Sequence, residues 1–373
     1  MTGTPVAVRD RSAPTRRLMV GSEAVAEAML SAGCRFFAGY PMTPFTEVLE
    51  HMARRLPEVG GVCMNAESEL EAIGMAWGAA ATGHLAATGS TGQGLSLMQE
   101  SLAEITLARL PLVVLNMARG QADYFQATRG GGHGDYRHIV LAPQDAAEAV
   151  ELVRLAFSLT ARWRNPVLVL GDYYLAHTTQ SVRIPAPVTP TLPPWALDGS
   201  SGGSGDAKLI SFLGDQKQRH GLGYNLSDHY RDCAAATADM VAGVEPMAET
   251  HHVEDADVVV VAFGTPARYV LDAVRRLRAE GRRVGLVRPV TLFPFPSATV
   301  SAAAAGARAV AVYENNAGQM IDDVRLSVLG AAPVEFIGGL SIDDSGFGIA
   351  PDLDVAVLRG RIEAVLDRHG GGA

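Results

Sequence analysis

NAESELEAIGMAWGAAATGHLAATGSTGQG, residues 65–94, joins an acidic helix start to an apolar helix, a short strand and a glycine-rich turn, and its reading decides the fold. Ser68 with Glu71 fits a capping box, in which each side chain satisfies a free backbone N–H at a helix start. A helix is therefore expected to begin near Ser68, with Asn65 as an alternative cap slightly earlier. Either way three carboxylates cluster at that start. At about 100° per residue Glu67 and Glu71 share a face, whereas Glu69 lies roughly 200° round from Glu67, above Ala72, Ile73 and Ala76. Two readings stand side by side. All three acids complement the helix dipole in water, or Glu69, at the head of the small apolar stripe, is held in a dry pocket against a ligand.

After this helix GHLAATGSTGQGLSLMQE reads as strand, glycine-rich turn and helix, whose first N–H groups face outward as anion donors. It is not a P-loop. Gly89 and Gly94 have the outer spacing of that motif, but Leu95 stands where its lysine belongs. Outward from the quoted stretch the same alternation continues, apolar strands with amphipathic helices, which is the signature of an α/β domain with a mainly parallel sheet. Upstream lie a helix over Ser22–Ala32, the strand CRFFAG, and a break at Gly39-Tyr40-Pro41 before MTPFTE, whose Thr-Pro opens a second helix. Downstream, LPLVVLNMARG is a buried strand ending in Arg119, and three consecutive glycines precede His133. Asp145 caps the helix AAEAVELVRLAFSLTARW, and NPVLVLGD is one more buried strand. Strand ends of this kind are where α/β sheets place ligands.

Residues 1–17 read as a loose N-terminal arm, 18–182 as the first α/β domain, 183–255 as a connector and surface excursion rich at first in Pro, Gly and Ser, and 256–373 as a second, smaller α/β domain. In the second domain DVVVVAFG, RRVGLVRPV, ARAVAVYENN and PVEFIGG are strands, and helices follow Pro266, Asn316 and Asp354. With 373 residues, 48% of them hydrophobic and 19% charged, the chain can bury a sizeable core. Its net charge of −9 and lack of a Lys/Arg-rich block argue against nucleic acid as a partner, and no apolar run approaches a membrane span. Cys34, Cys63 and Cys233 have no CxxC spacing, so a cluster, zinc site or disulfide framework in this chain is not expected, and the reducing cytoplasm is its natural compartment. His220, Asp228, His229 and the His251-His252 pair fit no standard metal spacing.

Taken together, GYPMTP, LPEVGGV, AESE, LSLMQE, DYFQATRGGGHGDYRHIVLAP, VRPVTLFPFP and the GQM of NNAGQM resemble the alpha-type chain of a 2-oxoacid:ferredoxin oxidoreductase, over nearly the whole length from Gly21. Such enzymes use thiamine diphosphate to oxidise and decarboxylate 2-oxoacids to acyl-CoA, with coenzyme A as co-substrate. DYFQATRGGGHGDY is similar to the branched-chain (2-oxoisovalerate) subfamily more than to the pyruvate or 2-oxoglutarate ones. The resemblance implies a thiamine-diphosphate-binding, pyrimidine-type parallel-sheet domain followed by a transketolase-C-terminal-like α/β domain. It implies that Glu69 hydrogen-bonds N1′ of the aminopyrimidine ring, where a carboxylate in a low-dielectric site favours the imino tautomer that takes the thiazolium C2 proton. Thr43 and Arg119 match the residues at the substrate carboxylate, a task that suits a hydroxyl and a bidentate guanidinium. Tyr40 falls with them on the substrate side, and Gly92, Gln93 and His133 on the cofactor side.

Two stretches depart from the family pattern. Only Gly-Gln-Ala separates Arg119 from Asp123, where relatives carry a longer loop, so the substrate pocket's wall is expected to differ. Gly92-Gln93 replaces a Pro-Gly-type pair in the glycine-rich turn. The chain also has no GDG-to-Asn stretch for diphosphate and magnesium and no cysteine set for a [4Fe–4S] cluster. In the family both belong to a beta-type subunit, so this polypeptide is expected to be half an active site, with a gamma-type subunit and ferredoxin as further partners. The alternatives are a same-fold thiamine enzyme subunit with a specialised non-oxidative reaction and a non-catalytic scaffold.

Overall fold

The computed structural model describes residues 16–197, 226–339 and 353–369. The expected arm up to Thr15 and the Gly/Ser-rich part of the connector, 198–225, lie outside them. A short antiparallel ribbon pairs β1 (Arg16–Val20) with β8 (Thr179–Arg183). Arg16 and Arg17, expected in the arm, are thus its first strand residues. The main sheet contains β2 (Phe36–Gly39), β3 (Val62–Asn65), β4 (Ala86–Ser90), β5 (Val113–Ala118), β6 (Ile139–Leu141), β7 (Val167–Asp172) and β12 (Thr291–Phe293). Their order is β12-β6-β7-β5-β4-β2-β3, all parallel except β12 against β6. Every residue of β4, β5 and β7 is buried, as strands covered by helices on both faces must be.

On one face α1 (Gly21–Ser31), α2 (Thr46–Arg55) and α7 (Ala146–Trp163) pack on Ala87, Val113, Leu115, Val167 and Val169. On the other, α3 (Glu69–Ala81), α4 (Gly92–Leu97) and α5 (Gln99–Leu107) pack on Val114, Leu168 and Leu170. The even and odd positions of one strand therefore feed two cores. α6 (Tyr124–Thr128) follows β5, and α8 (Tyr173–His177) follows β7, where Asp172 caps it by accepting from the Leu175 N–H at 2.8 Å.

The second sheet has the order β14-β13-β10-β11-β9, with β9 (Ala248–His251) antiparallel to β11 (Val284–Pro289) and β10 (Val258–Val261), β13 (Ala309–Val312) and β14 (Val334–Phe336) parallel. The chain from 226 to 251 is more than a surface excursion: α9 (Leu226–Gly243) buries Met240 against the first core, and β9 joins the second sheet. Around that sheet lie α10 (Pro266–Ala279), α11 (Ser297–Ala304), α12 (Met320–Val328) and α13 (Val355–His369). Among the described residues no helix is long and apolar enough to cross a membrane.

The strand order reverses beside β2: β3 lies on its outer side, β4 on its inner side. A crevice at the carboxyl ends of β2 and β4 is the ligand position that such a switch point creates.

Candidate functional site

Gly39 and Gly89 face each other across β2 and β4, and the buried ring of Phe45 fills the slot they leave. A Cβ on Gly39 would meet Phe45 Cε1 at 2.9 Å, and one on Gly89 would meet Cε2 at 2.6 Å. That ring anchors the GYPMTPF loop over the crevice. Thr91 Oγ1 adds a contact to Met42 Sδ at 3.4 Å, so the loop after β2 and the turn after β4 are fixed to one another.

Glu69 is the first residue of α3, after the extended Ser68, and is 2% exposed. The helix phase read from the sequence holds: Ala72, Ile73 and Ala76 are buried in line with it, while Glu67 and Glu71 are exposed. Ser68 does not cap through its own side chain; its hydroxyl donates to the Glu71 carboxylate instead. Glu69 Oε1 accepts from Ser90 Oγ at 2.7 Å, and Oε2 has no hydrogen-bond partner among the described residues. A nearly dry carboxylate with one committed and one spare oxygen fits a donor such as an aminopyrimidine ring nitrogen.

The glycine-rich turn lies on two carboxylates. A Cβ on Gly94 would stand 2.4 Å from Glu69 Oε1, and one on Gly92 2.3 Å from Asp123 Oδ1. Asp123 in turn accepts from Asn116 Nδ2 at 2.8 Å and Gln126 Nε2 at 2.9 Å, and Gln126 Nε2 also donates to Gly92 O at 3.1 Å. These seats, rather than left-handed backbone, require glycine here. Ser90, Asp123 and Gln126 were not singled out by sequence reasoning. The available signal was the pairing of two glycines in the turn after β4 with two acids that follow β3 and β5.

Beside the turn opens a cleft of about 310 Å³, lined by Gly92, Gln93, Ser96, Arg119, Gly120, Ala122, Asp123 and Gln126. Arg119 stands at the end of β5, and its Nε donates to the Thr43 carbonyl at 3.3 Å. Among the described residues its guanidinium has no carboxylate partner within ion-pair distance, and it lines the cleft together with Asp123. The structure thus brings together Arg119, Gly92 and Gln93 at the cleft, with Glu69 under the same turn; Thr43 is tied to Arg119 through its carbonyl, not its hydroxyl, and does not line the cleft. Tyr40 follows β2 directly, half-buried, and does not line the cleft. His133 is not brought there either. Gly130 and Gly134, both at φ +76°, fold the loop over α5, and the N–H groups of Gly131 and Gly132 donate to Tyr136 Oη at 2.9 and 2.7 Å. His133 points outward, half exposed, 3.2 Å from Glu104.

The second domain does not line the cleft but bonds to elements beside it. Asp172, at the end of β7, accepts from Thr265 Oγ1 at 2.9 Å, and burial pushes its carboxyl up while the Leu175 N–H and Thr265 partly offset that. Tyr124 Oη donates to Asp323 Oδ2 at 2.7 Å, and burial, then Asp323, keeps the phenol protonated well above its ordinary range.

Residues 27–193 match the family model described as pyruvate flavodoxin/ferredoxin oxidoreductase, thiamine diphosphate-binding, and residues 256–345 that of pyruvate:ferredoxin oxidoreductase core domain II. The chain is 38% identical over 333 residues to a ketoisovalerate oxidoreductase subunit of Methanothermobacter marburgensis, covering 86% of this chain and 92% of that one. To a 2-oxoglutarate synthase subunit of Methanothermobacter thermautotrophicus it is 35% identical over 351 residues, covering 85% and 92%. Among solved structures it is similar to 2-oxoglutarate:ferredoxin oxidoreductase from Magnetococcus marinus with 2-oxoglutarate, coenzyme A and succinyl-CoA bound, at 28% identity and a TM-score of 0.78. That match covers 94% of this chain and 65% of the longer one. A split-gene transketolase at 17% identity and TM-score 0.59, covering 94% and 99%, shares the fold.

Proposed function

The chain belongs to the 2-oxoacid:ferredoxin oxidoreductase family, and from that premise we propose that it is the alpha-type subunit that holds the aminopyrimidine end of thiamine diphosphate on Glu69 and the 2-oxoacid carboxylate on Arg119 and Thr43. The observation that carries this reading is Glu69 itself: 2% exposed, anchored through Oε1 by Ser90 and with no hydrogen-bond partner on Oε2 among the described residues. Thiamine diphosphate, when bound, supplies the carbon nucleophile and electron sink that 2-oxoacid decarboxylation needs. Glu69 orients the ring and holds a proton at the pyrimidine nitrogen through its unshared Oε2. Ser90 keeps that carboxylate from swinging away. Arg119 offers its guanidinium to the substrate carboxylate across an open cleft, where a charge-assisted, forked hydrogen bond discriminates for a planar anion.

The branched-chain reading rests on DYFQATRGGGHGDY and on the ketoisovalerate relatives, at 38% identity in the first instance. The proposed overall reaction is oxidative decarboxylation of a branched-chain 2-oxoacid to its acyl-CoA. Electrons would pass to ferredoxin through a cluster held by a beta-type partner, which would also bind diphosphate and magnesium; a gamma-type subunit completes the assembly. No cysteine spacing in this chain serves a cluster, which supports that division.

The test is Glu69→Gln in the chain assembled with its partner subunits. The amide still accepts from Ser90 but has no negative charge for the ring nitrogen, and turnover of 2-oxoisovalerate is expected to fall by at least about 10²-fold with the complex intact. Unchanged turnover would remove Glu69 from the mechanism. Parallel assays with pyruvate and 2-oxoglutarate decide the substrate.

A further inference from the structure

Only three residues separate Arg119 from Asp123, and the main chain between them is held almost entirely by the second domain. The Gln121 N–H donates to Asn315 O at 3.3 Å, and Gln121 O accepts from Asn316 Nδ2 at 2.9 Å. The Gln121 side chain is used at both ends, donating to Phe263 O at 2.9 Å and accepting from the Asn315 N–H at 2.8 Å. Next along, Gln319 Nε2 donates to Ala122 O at 2.8 Å, and Gln319 Oε1 accepts from the Phe125 N–H at 2.8 Å. One amide therefore clamps both sides of the turn that enters α6.

Gln319 is itself fixed. Its N–H donates to Glu314 Oε1 at 2.9 Å, and Glu314, 0% exposed, also takes the N–H groups of Met320 at 2.8 Å and Ile321 at 3.0 Å and Asn316 Nδ2 at 2.9 Å. A buried carboxylate with four donors does not move. On its other side the clamped segment presents Arg119 to the cleft and Asp123 to Gly92.

We propose that Gln319 is a positioning residue for 2-oxoacid binding: through the main chain of Ala122 and Phe125 it sets where Arg119 offers its guanidinium, so the second domain governs substrate affinity at a cleft it does not line. This rests on the reading of Arg119 as the carboxylate ligand. Without the Gln319 amide, the Ala122 carbonyl and the Phe125 N–H lose their partners, and the short segment relaxes away from Thr43. The carboxylate contact is present in both the bound and the reacting substrate, so the loss falls on KM rather than kcat.

The experiment compares Gln319→Ala, Gln319→Glu and Arg268→Ala in the chain assembled with its partner subunits. Arg268 makes a half-exposed ion pair across the same domain boundary, 3.9 Å from Asp145, and reports generic loosening. For Gln319→Ala the expected results are a KM for the 2-oxoacid raised about tenfold, kcat within about twofold, and an unchanged KM for coenzyme A. Faster hydrogen exchange at the Phe125 amide is expected with it. Gln319→Glu, which still accepts from Phe125 but cannot donate to Ala122, falls between, and Arg268→Ala matches the parent. An active parent whose KM ignores Gln319→Ala, or whose KM rises equally in Arg268→Ala, overturns the positioning role alone. A parent complex that turns over no 2-oxoacid instead removes the substrate reading on which that role rests.

Discussion

Gly94 lacks a side chain because two others occupy the place where one would sit. Its Cβ would stand 2.1 Å from Ser90 Oγ and 2.4 Å from Glu69 Oε1, so Gly94→Ala must displace the hydrogen-bonded pair that orients the candidate catalytic carboxylate. Overpacking of this kind costs about 1–3 kcal/mol. Turnover should fall together with the denaturant midpoint, although residue 94 carries no chemistry. Gly74 is the contrasting case: it is exposed on α3, and a Cβ there meets nothing within 4 Å. Gly74→Ala should raise the stability of the isolated chain by about 0.5–1 kcal/mol, because it removes only unfolded-state freedom from a helix interior. Urea titrations of the two variants side by side check both signs. If Gly94→Ala proved as harmless as Gly74→Ala, the tight seating of Glu69 under the turn would be wrong.

Helices α1 and α2 are joined by one carboxylate. Glu27 accepts from His51 Nε2 at 2.9 Å and Arg55 Nε at 2.7 Å; Glu23 lies 4.0 Å from His51 Nδ1, and Glu58 pairs with Arg55. Burial pushes the Glu27 carboxyl up, but the hydrogen bonds and charges of His51 and Arg55 outweigh it and hold the group at about 2. A depressed carboxylate contributes stability above its unfolded value and loses it as the pH falls. The contribution, on the order of 3 kcal/mol, should therefore be intact above about pH 4.5 and disappear progressively towards pH 2. Glu27→Gln should flatten the acid limb of a stability-versus-pH curve measured by chemical denaturation; a limb of unchanged slope would assign the acid sensitivity elsewhere. Elements of this kind were legible in the chain because their periodicity is local. The strands β4, β5 and β7 read as apolar runs, and helix phase alone separated Glu69 from Glu67 and Glu71. α9 was not legible: it is alanine-rich and buries few side chains, Met240 among them, so its amphipathic signal is weak. His133 was singled out because three glycines before a histidine look like a ligand loop; in this chain its side chain turns out to Glu104, half exposed. The ties that Gln121 and Gln319 make were invisible for another reason. Their partners lie 194 residues along the chain, and nothing local in a glutamine announces such a tie.

At the scale of the molecule the two sheets are interlocked rather than strung together. β12, at 291–293, leaves the second domain's strand β11 and pairs antiparallel with β6 at the edge of the first sheet. Between them Arg288, 1% exposed, donates to Glu148 Oε1 on α7 at 2.6 Å and lies 2.9 Å from Glu249 Oε1 on β9. One hydrophobic cluster also runs without a break from Ile73, Leu95 and Leu168 in the first domain to Val259, Val312 and Val324 in the second. Neither half can therefore satisfy its own surface. A fragment ending at residue 255 would expose the edge of β6, with its unpaired N–H and C=O groups, beside the apolar face that the second domain covers, which is the recipe for intermolecular strand pairing. The full chain is expected to unfold in a single calorimetric transition, and the 16–255 fragment to aggregate or bind hydrophobic dye rather than persist as a monomer. A soluble monomeric fragment with its own sharp melting transition would show that the two sheets are independent units joined by a linker. The coupling of second-domain glutamines to the substrate cleft would then have to work across a boundary able to open, and KM would be expected to vary with whatever opens it.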